Sequence, residues 1–548
     1  MYKLINLINK YKYTFLIIAI ILLASWLRLY HLSSNPLAAN QDEALNGYDA
    51  YMISYTLHDH HGEFLPIFFE SYGDWVSPLL TYITVPFVRI LGLSIFSTRL
   101  PVALLNIASV YVIYILIKLI FDREDFALIG AFLLAIMPWN ISLSRFAIPP
   151  DVVPFFFLLT LYFFINLIKV DIYNERSNEK LKKFIVWYKD KNFYLFILSA
   201  SLLTYTYPTQ KLFVPLLVFC LSVLFFRDKI YKLLISIGLY SLLVSPQFIL
   251  TILNPQKYNS RFNNISIFSI SKSFISLIQQ FLIRYLGYIG PNFLFWTGDK
   301  DIQQHVPGMP ADYLFLSVFF YVGVCFSLFY LYKYLTNRIK SNRFLHKVYA
   351  ILSISFLLSP IAASLTINFN HTLRDIQELP LVIIFTLIGV YELYLIIYNS
   401  NRLKKSYIKM ILTIVFSMFI VLGAYGLYKF NNIYWNKYPY ISDMGFNPGL
   451  EKAIIFANTN KLGYTKINID SRENIINQGY MYYLFYSKIS PKSIESMGWL
   501  GLFPNRIGKN VTVLPTPNLS GAKLIFSYKL NNVVLARVYV MNNIMYIL

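Results

Sequence analysis

The sequence predicts a polytopic α-helical membrane protein with a small α/β domain at its C-terminal end, on three observations. Only 14% of the 548 residues are charged, against about 25% in a soluble domain, while 57% are hydrophobic. Apolar runs near 13–30, 313–332 and 408–428 are long enough to cross roughly 30 Å of hydrocarbon as helices. After about residue 430 the composition turns to Asn, Lys, Tyr and Gly, and no later run is long enough to span.

Taken in order, hydropathy places eleven spans, near 13–30, 99–119, 126–143, 152–169, 193–206, 212–226, 231–250, 313–332, 347–367, 379–398 and 408–428. The N-terminus carries Lys3, Lys10 and Lys12 without a small-residue cleavage site after its apolar run, so it is expected to be a retained anchor. The stretch from Leu79 to Leu93 contains Pro86 and Arg89 and follows Pro78, which predicts an interfacial helix rather than a span. An amphipathic stretch from Ala44 to Leu57 precedes it in the same first outer loop, 31–98. Positive charge tests this count independently. With the N-terminus cytoplasmic, the loops 170–192, 227–232, 333–347 and 399–407 collect Lys and Arg. The opposite set, 31–98, 144–151, 207–211 and 368–378, holds one cation each. The expected organisation is a transmembrane domain over 1–429 and an extracytoplasmic α/β domain over 430–548, with a helix at 450–457 and strands at 466–469, 511–514, 523–528 and 533–540.

The formal charge of +21 lies mostly in short loops and reports membrane orientation, so no nucleic-acid partner is expected. Cys220 and Cys325 sit inside apolar runs, which argues against a disulfide framework or a cysteine zinc site. No Gly-x-x-x-x-Gly-Lys-Ser/Thr loop and no Gly-x-Ser-x-Gly elbow occurs, which sets aside a single-chain ATP-driven pump and a serine hydrolase of that type.

Polar residues of unassigned purpose collect on the outer face. Asp42 and Glu43 in the first loop and Asp151 in a second are placed to converge above the bilayer core, and partial burial beside an apolar wall suits a carboxylate to general-base work. For an isolated Asp-Glu pair, simple tolerance of acid on the outer side is the more frequent explanation. Arg374, Arg261, Lys211 and Arg145 are candidate ligands of a phosphate headgroup, since a guanidinium fork bonds phosphate oxygens in pairs, although for any single cation snorkelling to ordinary lipid phosphate is at least as frequent. Asp299, His305 and His371 complete the candidate set. Histidines 58, 60 and 61 are expected to be surface side chains rather than metal ligands, and no metal site is expected.

In their order along the chain, Arg28-Leu29-Tyr30, Asp42-Glu43, Arg99-Leu100-Pro101, Pro138-Trp139, Ser144-Arg145 and Asp151 resemble the membrane glycosyltransferases of the C-type fold, of the protein O-mannosyltransferase and lipid A aminoarabinose transferase kind. Tyr205-Thr206-Tyr207, Thr297-Gly298-Asp299, His305-x-Pro307-Gly308, His371-Thr372-Leu373-Arg374 and Tyr483-Leu-Phe-Tyr486 are similar to a bacterial branch with an added C-terminal domain. The resemblance implies a sugar donor on a polyprenyl phosphate, no other required cofactor, with dependence on a divalent metal left open, and an extracytoplasmic acceptor of unknown class. It implies Asp42 as the base on the acceptor hydroxyl, Glu43 and Asp151 shaping the same site, inversion at the anomeric carbon, and Arg374, Arg261 and Lys211 on the leaving phosphate. The chain reads Val76-Ser77-Pro78 where relatives often read Lys-Pro-Pro, so another cation substitutes, the donor contact differs, or activity is lost. Two readings compete. A flippase for a lipid-linked saccharide would hold its ionisable groups near mid-membrane. An oligosaccharyltransferase or polysaccharide ligase would take a whole lipid-linked glycan.

Overall fold

In a computed structural model of the chain, the structure describes residues 2–548 apart from 176–189, 227–229, 271–272, 337–343, 400–404, 461–463, 471–478, 502–505, 508, 518 and 531–532. The helices, in chain order, are α1 (Tyr2–Leu29), α2 (Gln41–Thr56), α3 (Leu79–Leu91), α4 (Ile95–Phe121), α5 (Glu124–Ile136), α6 (Pro138–Leu143), α7 (Val153–Glu175), α8 (Lys191–Thr204) and α9 (Gln210–Phe226). They continue with α10 (Ile230–Leu253), α11 (Phe274–Tyr288), α12 (Ser317–Leu335), α13 (Phe344–Ser364), α14 (Glu378–Asn399) and α15 (Lys405–Asn436). Eight segments among the described residues are long and apolar enough to cross a membrane: Tyr11–Leu29, Ile95–Phe121, Pro149–Ile172, Ile230–Leu253, Leu314–Leu335, Phe344–Ser364, Glu378–Asn399 and Lys405–Asn436. The chain is a multi-pass membrane protein.

The other three expected spans are shorter helices. The run expected as one span over 126–143 is divided at Met137, which is extended because Pro138 follows it, giving α5 and the six-residue α6. The remaining two are α8, of 14 residues, and α9, of 17. The Pro86-containing α3 has 13 residues, too few to span. Of the cations that set the predicted orientation, those in 176–189 together with Arg227, Lys229, Arg338, Lys340, Arg343, Arg402 and Lys404 lie outside the described residues.

Helix packing in the bundle uses close backbone approach. A Cβ on Gly323 of α12 would fall 1.9 Å from the Phe385 carbonyl oxygen, and one on Gly389 of α14 would fall 2.0 Å from that of Phe319. Only glycine at both positions lets these helices meet at this distance.

The last long helix runs to Asn436, so the expected domain boundary at 429/430 falls inside it. Beyond it lie α16 (Pro448–Thr459), α17 (Gly479–Ser487) and α18 (Pro491–Ser496), with β3 (Lys466–Ile469), β4 (Arg506–Ile507), β5 (Val511–Val513), β6 (Lys523–Leu530), β7 (Val533–Met541) and β8 (Ile544–Ile547). The six strands form one mixed sheet in the order β4-β5-β3-β8-β7-β6, with β3 parallel to both neighbours. Its hydrophobic core does not close on itself. Ala44, Leu45, Tyr48 and Met52 of α2 join Ile454, Ile467, Tyr480, Leu484 and Val538 in one buried cluster. The C-terminal domain is thereby seated on α2, at the end of the bundle where the candidate site lies.

Candidate active site

The site begins at the N-terminus of α2. Asn40 caps the helix, accepting from the Asp42 and Glu43 N–H groups at 2.6 and 3.3 Å, and Glu43 reaches back to the Asn40 N–H at 2.9 Å. Glu43 is fully occupied elsewhere as well. It forms a two-point ion pair with buried Arg99 at 2.7 and 2.9 Å and accepts from the Ala147 N–H. Arg99 in turn donates to the carbonyls of Leu32, Pro36 and Ala38, which fixes the chain leading into α2. With its neighbour locked in this way, Asp42 is presented from the first turn of α2 to a cavity of about 350 Å³.

The cavity brings together segments far apart in sequence. Asp42, Asp74, Trp75 and Val76 come from the first loop, Lys211 and Leu212 from the start of α9, and Gln247, Phe248 and Thr251 from α10. Arg261 follows from the short helix Ser260–Ile265, and His371 and Arg374 from the segment before α14. Asp74 arrives on a two-stranded hairpin, β1 (Phe69–Ser71) and β2 (Asp74–Val76), whose two-residue turn Tyr72-Gly73 has positive φ at both positions, 55° and 86°. That is the geometry that joins tightly paired antiparallel strands, and glycine adopts it without strain. Asp74 pairs with Arg261 at 3.0 Å. A second cavity of about 330 Å³ adjoins the first, and Asp42, Asp74, Arg261 and Ile265 line both.

Electrostatics suit this pocket to an anion beside a base. Burial raises the Asp42 carboxyl above the usual range, Arg261 draws it back down, and Asp74 and Glu43 add to the rise. Arg374 is 5% exposed and its Nη1 has no hydrogen-bond partner. Burial, and the neighbouring charge of Arg261, lower its affinity for its proton, although Tyr207 and Tyr288 act the other way. Lys211 lies 4.2 Å over the Phe68 ring. Val76 and Lys211 line the same cavity.

Of the residues singled out in the sequence, Asp42, Lys211, Arg261, His371 and Arg374 are brought together here. The others are placed differently. Arg145 is fully buried and donates to the carbonyls of Leu27, Tyr30, His31 and Asn35 and to the Tyr434 hydroxyl, closing the end of α1. Asp151 accepts from the Ile148 N–H and stands behind Pro149 and Pro150, which do line the cavity. Asp299 accepts from the Thr372 N–H at 2.6 Å and so shapes the segment bearing Arg374, while His305 is bonded to the Met309 carbonyl within its own turn. Sequence reasoning missed Asp74, Trp75, Tyr258 and the Gln303-Gln304 pair on the cavity wall. Two of the three histidines expected at the surface are not there. His60 is fully buried and His61 largely so, because the segment around Leu500 of the C-terminal domain covers them.

Among curated proteins none matches the sequence. Among solved structures, the archaeal oligosaccharyltransferase AglB of Archaeoglobus fulgidus, solved with an inhibitory peptide and a dolichol-phosphate, aligns at 13% identity and a TM-score of 0.48, covering 87% of this chain and 64% of that one. ArnT of Cupriavidus metallidurans, solved bound to undecaprenyl phosphate, aligns at 12% identity and a TM-score of 0.48, covering 87% of this chain and 85% of that one. This chain thus spans just under two thirds of the length of AglB and most of ArnT. Residues 18–188 match the family model for dolichyl-phosphate-mannose-protein mannosyltransferase. Over that stretch, which holds Asp42, Glu43, Arg99 and Asp151, the chain resembles the protein mannosyltransferases.

Proposed function

We propose that the protein is a glycosyltransferase that moves a sugar from a polyprenyl-phosphate carrier to an acceptor outside the cytoplasm, with Asp42 as general base. The observation that carries this reading is one cavity in which a carboxylate, Asp42, faces three cations, Lys211, Arg261 and Arg374, beside apolar side chains of α9 and α10. The apolar wall suits an isoprenoid tail, and the unpartnered Nη1 of Arg374 suits a phosphate oxygen.

In this scheme the acceptor hydroxyl attacks the anomeric carbon from the side opposite the phosphate. Its proton passes to Asp42, the bond from the anomeric carbon to the phosphate oxygen breaks, and configuration inverts. The negative charge gathering on the departing polyprenyl phosphate is stabilised by Arg374, Arg261 and Lys211, which stand in place before the reaction. The second cavity, which shares Asp42 with the first, supports entry of the acceptor from that side. The N-terminus is cytoplasmic and the C-terminal domain extracytoplasmic in this reading, which puts the chamber at the outer surface.

The test is transfer of radiolabelled sugar from synthetic polyprenyl-phosphate sugars by the purified protein, with membrane extract as acceptor and the anomeric configuration of the product determined by glycosidase digestion. Transfer with inversion is the expected result. Retention of configuration would remove the single-displacement scheme, and movement of lipid-linked sugar across vesicles without transfer would replace the enzyme with a flippase.

A further inference from the structure

Where the first loop meets the C-terminal domain, the structure buries a set of polar side chains that the transfer chemistry does not use. His60 follows the end of α2 and is fully buried, His61 has a side chain 10% exposed, and Glu70 of β1 has one 1% exposed. One ligand atom from each of the three lies within 4.8 Å of those of the other two. Adjacent histidines usually diverge, but here their rings lie 3.9 Å apart at a 40° tilt, because the Asp59 carboxylate folds the turn by accepting from the His61 and Glu63 N–H groups.

We infer that His60, His61 and Glu70 bind a divalent metal ion of the zinc class, which fastens the hairpin of β1 and β2 to the turn that follows α2. Each histidine already has the outer partner that a metal-bound imidazole requires. His60 Nδ1 lies 2.6 Å from the Asp49 carboxylate, and His61 Nδ1 lies 2.8 Å from the Leu500 carbonyl oxygen. Each such contact holds the proton on Nδ1 and turns the Nε2 lone pair inward. Glu70 is held too, with its other oxygen accepting from the Gly73 N–H and its Oε2 2.8 Å from His61 Nε2. An ion pair between His61 and Glu70 explains two of these three side chains without a metal. It leaves the Nε2 of His60, fully buried, with no hydrogen-bond partner, and a metal ion explains that atom as well.

Two imidazoles and one carboxylate are a zinc donor set, with the fourth position open to water. The Tyr480 hydroxyl, also buried and unpartnered, belongs to a ring 6.3 Å from that of His60 and is the neighbouring group for such a water. Tetrahedral bonds of about 2.0–2.1 Å separate ligand atoms by roughly 3.4 Å, so small side-chain movements close the set on the ion. Its effect on the candidate active site is positional, since Glu70 and Asp74 stand on the same hairpin.

Zinc content and thermal unfolding of the full-length protein in detergent test this, using Zn²⁺ alone as the probe after treatment with a chelator. The wild type is expected to take up one equivalent and to melt at a higher temperature with the metal. Glu70→Gln, whose amide oxygen keeps the Gly73 contact, is expected to bind at least about tenfold more weakly and to melt at one temperature with or without zinc. Equal uptake by the two proteins, or no uptake by the wild type at tenfold molar excess, overturns the site. Should Glu70→Gln fail to fold, Co²⁺ added to the wild type decides the matter. Visible bands of a tetrahedral ion with imidazole ligation support it, and the spectrum of the aqueous ion overturns it.

Discussion

Asp42 and Glu43 are adjacent in sequence and have opposite circumstances. Glu43 is neutralised by Arg99 and held by three elements, whereas Asp42 opens on the cavity with a carboxyl raised by burial and restrained by Arg261. A base must be ionised to accept a proton, so activity falls as pH drops through that raised value. Arg261→Gln removes the restraint and leaves the Asp74 charge unopposed, and both changes push Asp42 further up. The acid limb of kcat/KM is expected to move to higher pH by about one unit, measured as a pH profile beside the wild type. Arg374→Gln is expected to lower kcat by about 10²–10³ without that displacement of the limb. Asp42, Arg261, Lys211, His371 and Arg374 were legible in the sequence as polar residues in outer loops. Asp74 was not, because its meaning lies in a partner 187 residues away, and Arg145 misleads because burial among carbonyls leaves no trace in local composition.

At the scale of elements, hydropathy is a good guide wherever an apolar run is long and unbroken, as in α4, α10 and α15. It gives less where proline divides a run, as at Pro138, and where helices mix aromatic and polar residues, as in α17, which no apolar periodicity marks. Two contacts hold the elements that place the site. Glu43→Ala strands the Arg99 guanidinium in the interior, and a loss of about 3–5 kcal/mol is expected in denaturant unfolding. Gly389→Val drives a side chain into the Phe319 carbonyl and forces α12 and α14 apart. A lower melting temperature in detergent is expected, with overpacking of this kind costing about 1–3 kcal/mol or more.

On the scale of the whole molecule, the change in composition near residue 430 announced a C-terminal α/β region, but no local pattern signals that its core includes α2. That core is built by pairing residues some 400 positions apart, such as Tyr48 with the Ile489 carbonyl at 2.9 Å. A chain ending at Asn436 would expose Leu45, Tyr48 and Met52 together, so it is expected to lose sugar transfer and to unfold at lower temperature than the full chain, as read by assay and thermal melt. The same joint places α2, and with it Asp42, at the mouth of a chamber whose cations come from three other parts of the bundle. The most direct measurement is therefore radiolabelled sugar transfer from a polyprenyl-phosphate donor by the wild type and by Asp42→Asn, with donor binding measured in parallel. The role of Asp42 as base requires transfer by the wild type that is lost in Asp42→Asn while the donor still binds. Transfer that persists undiminished in the variant would contradict it.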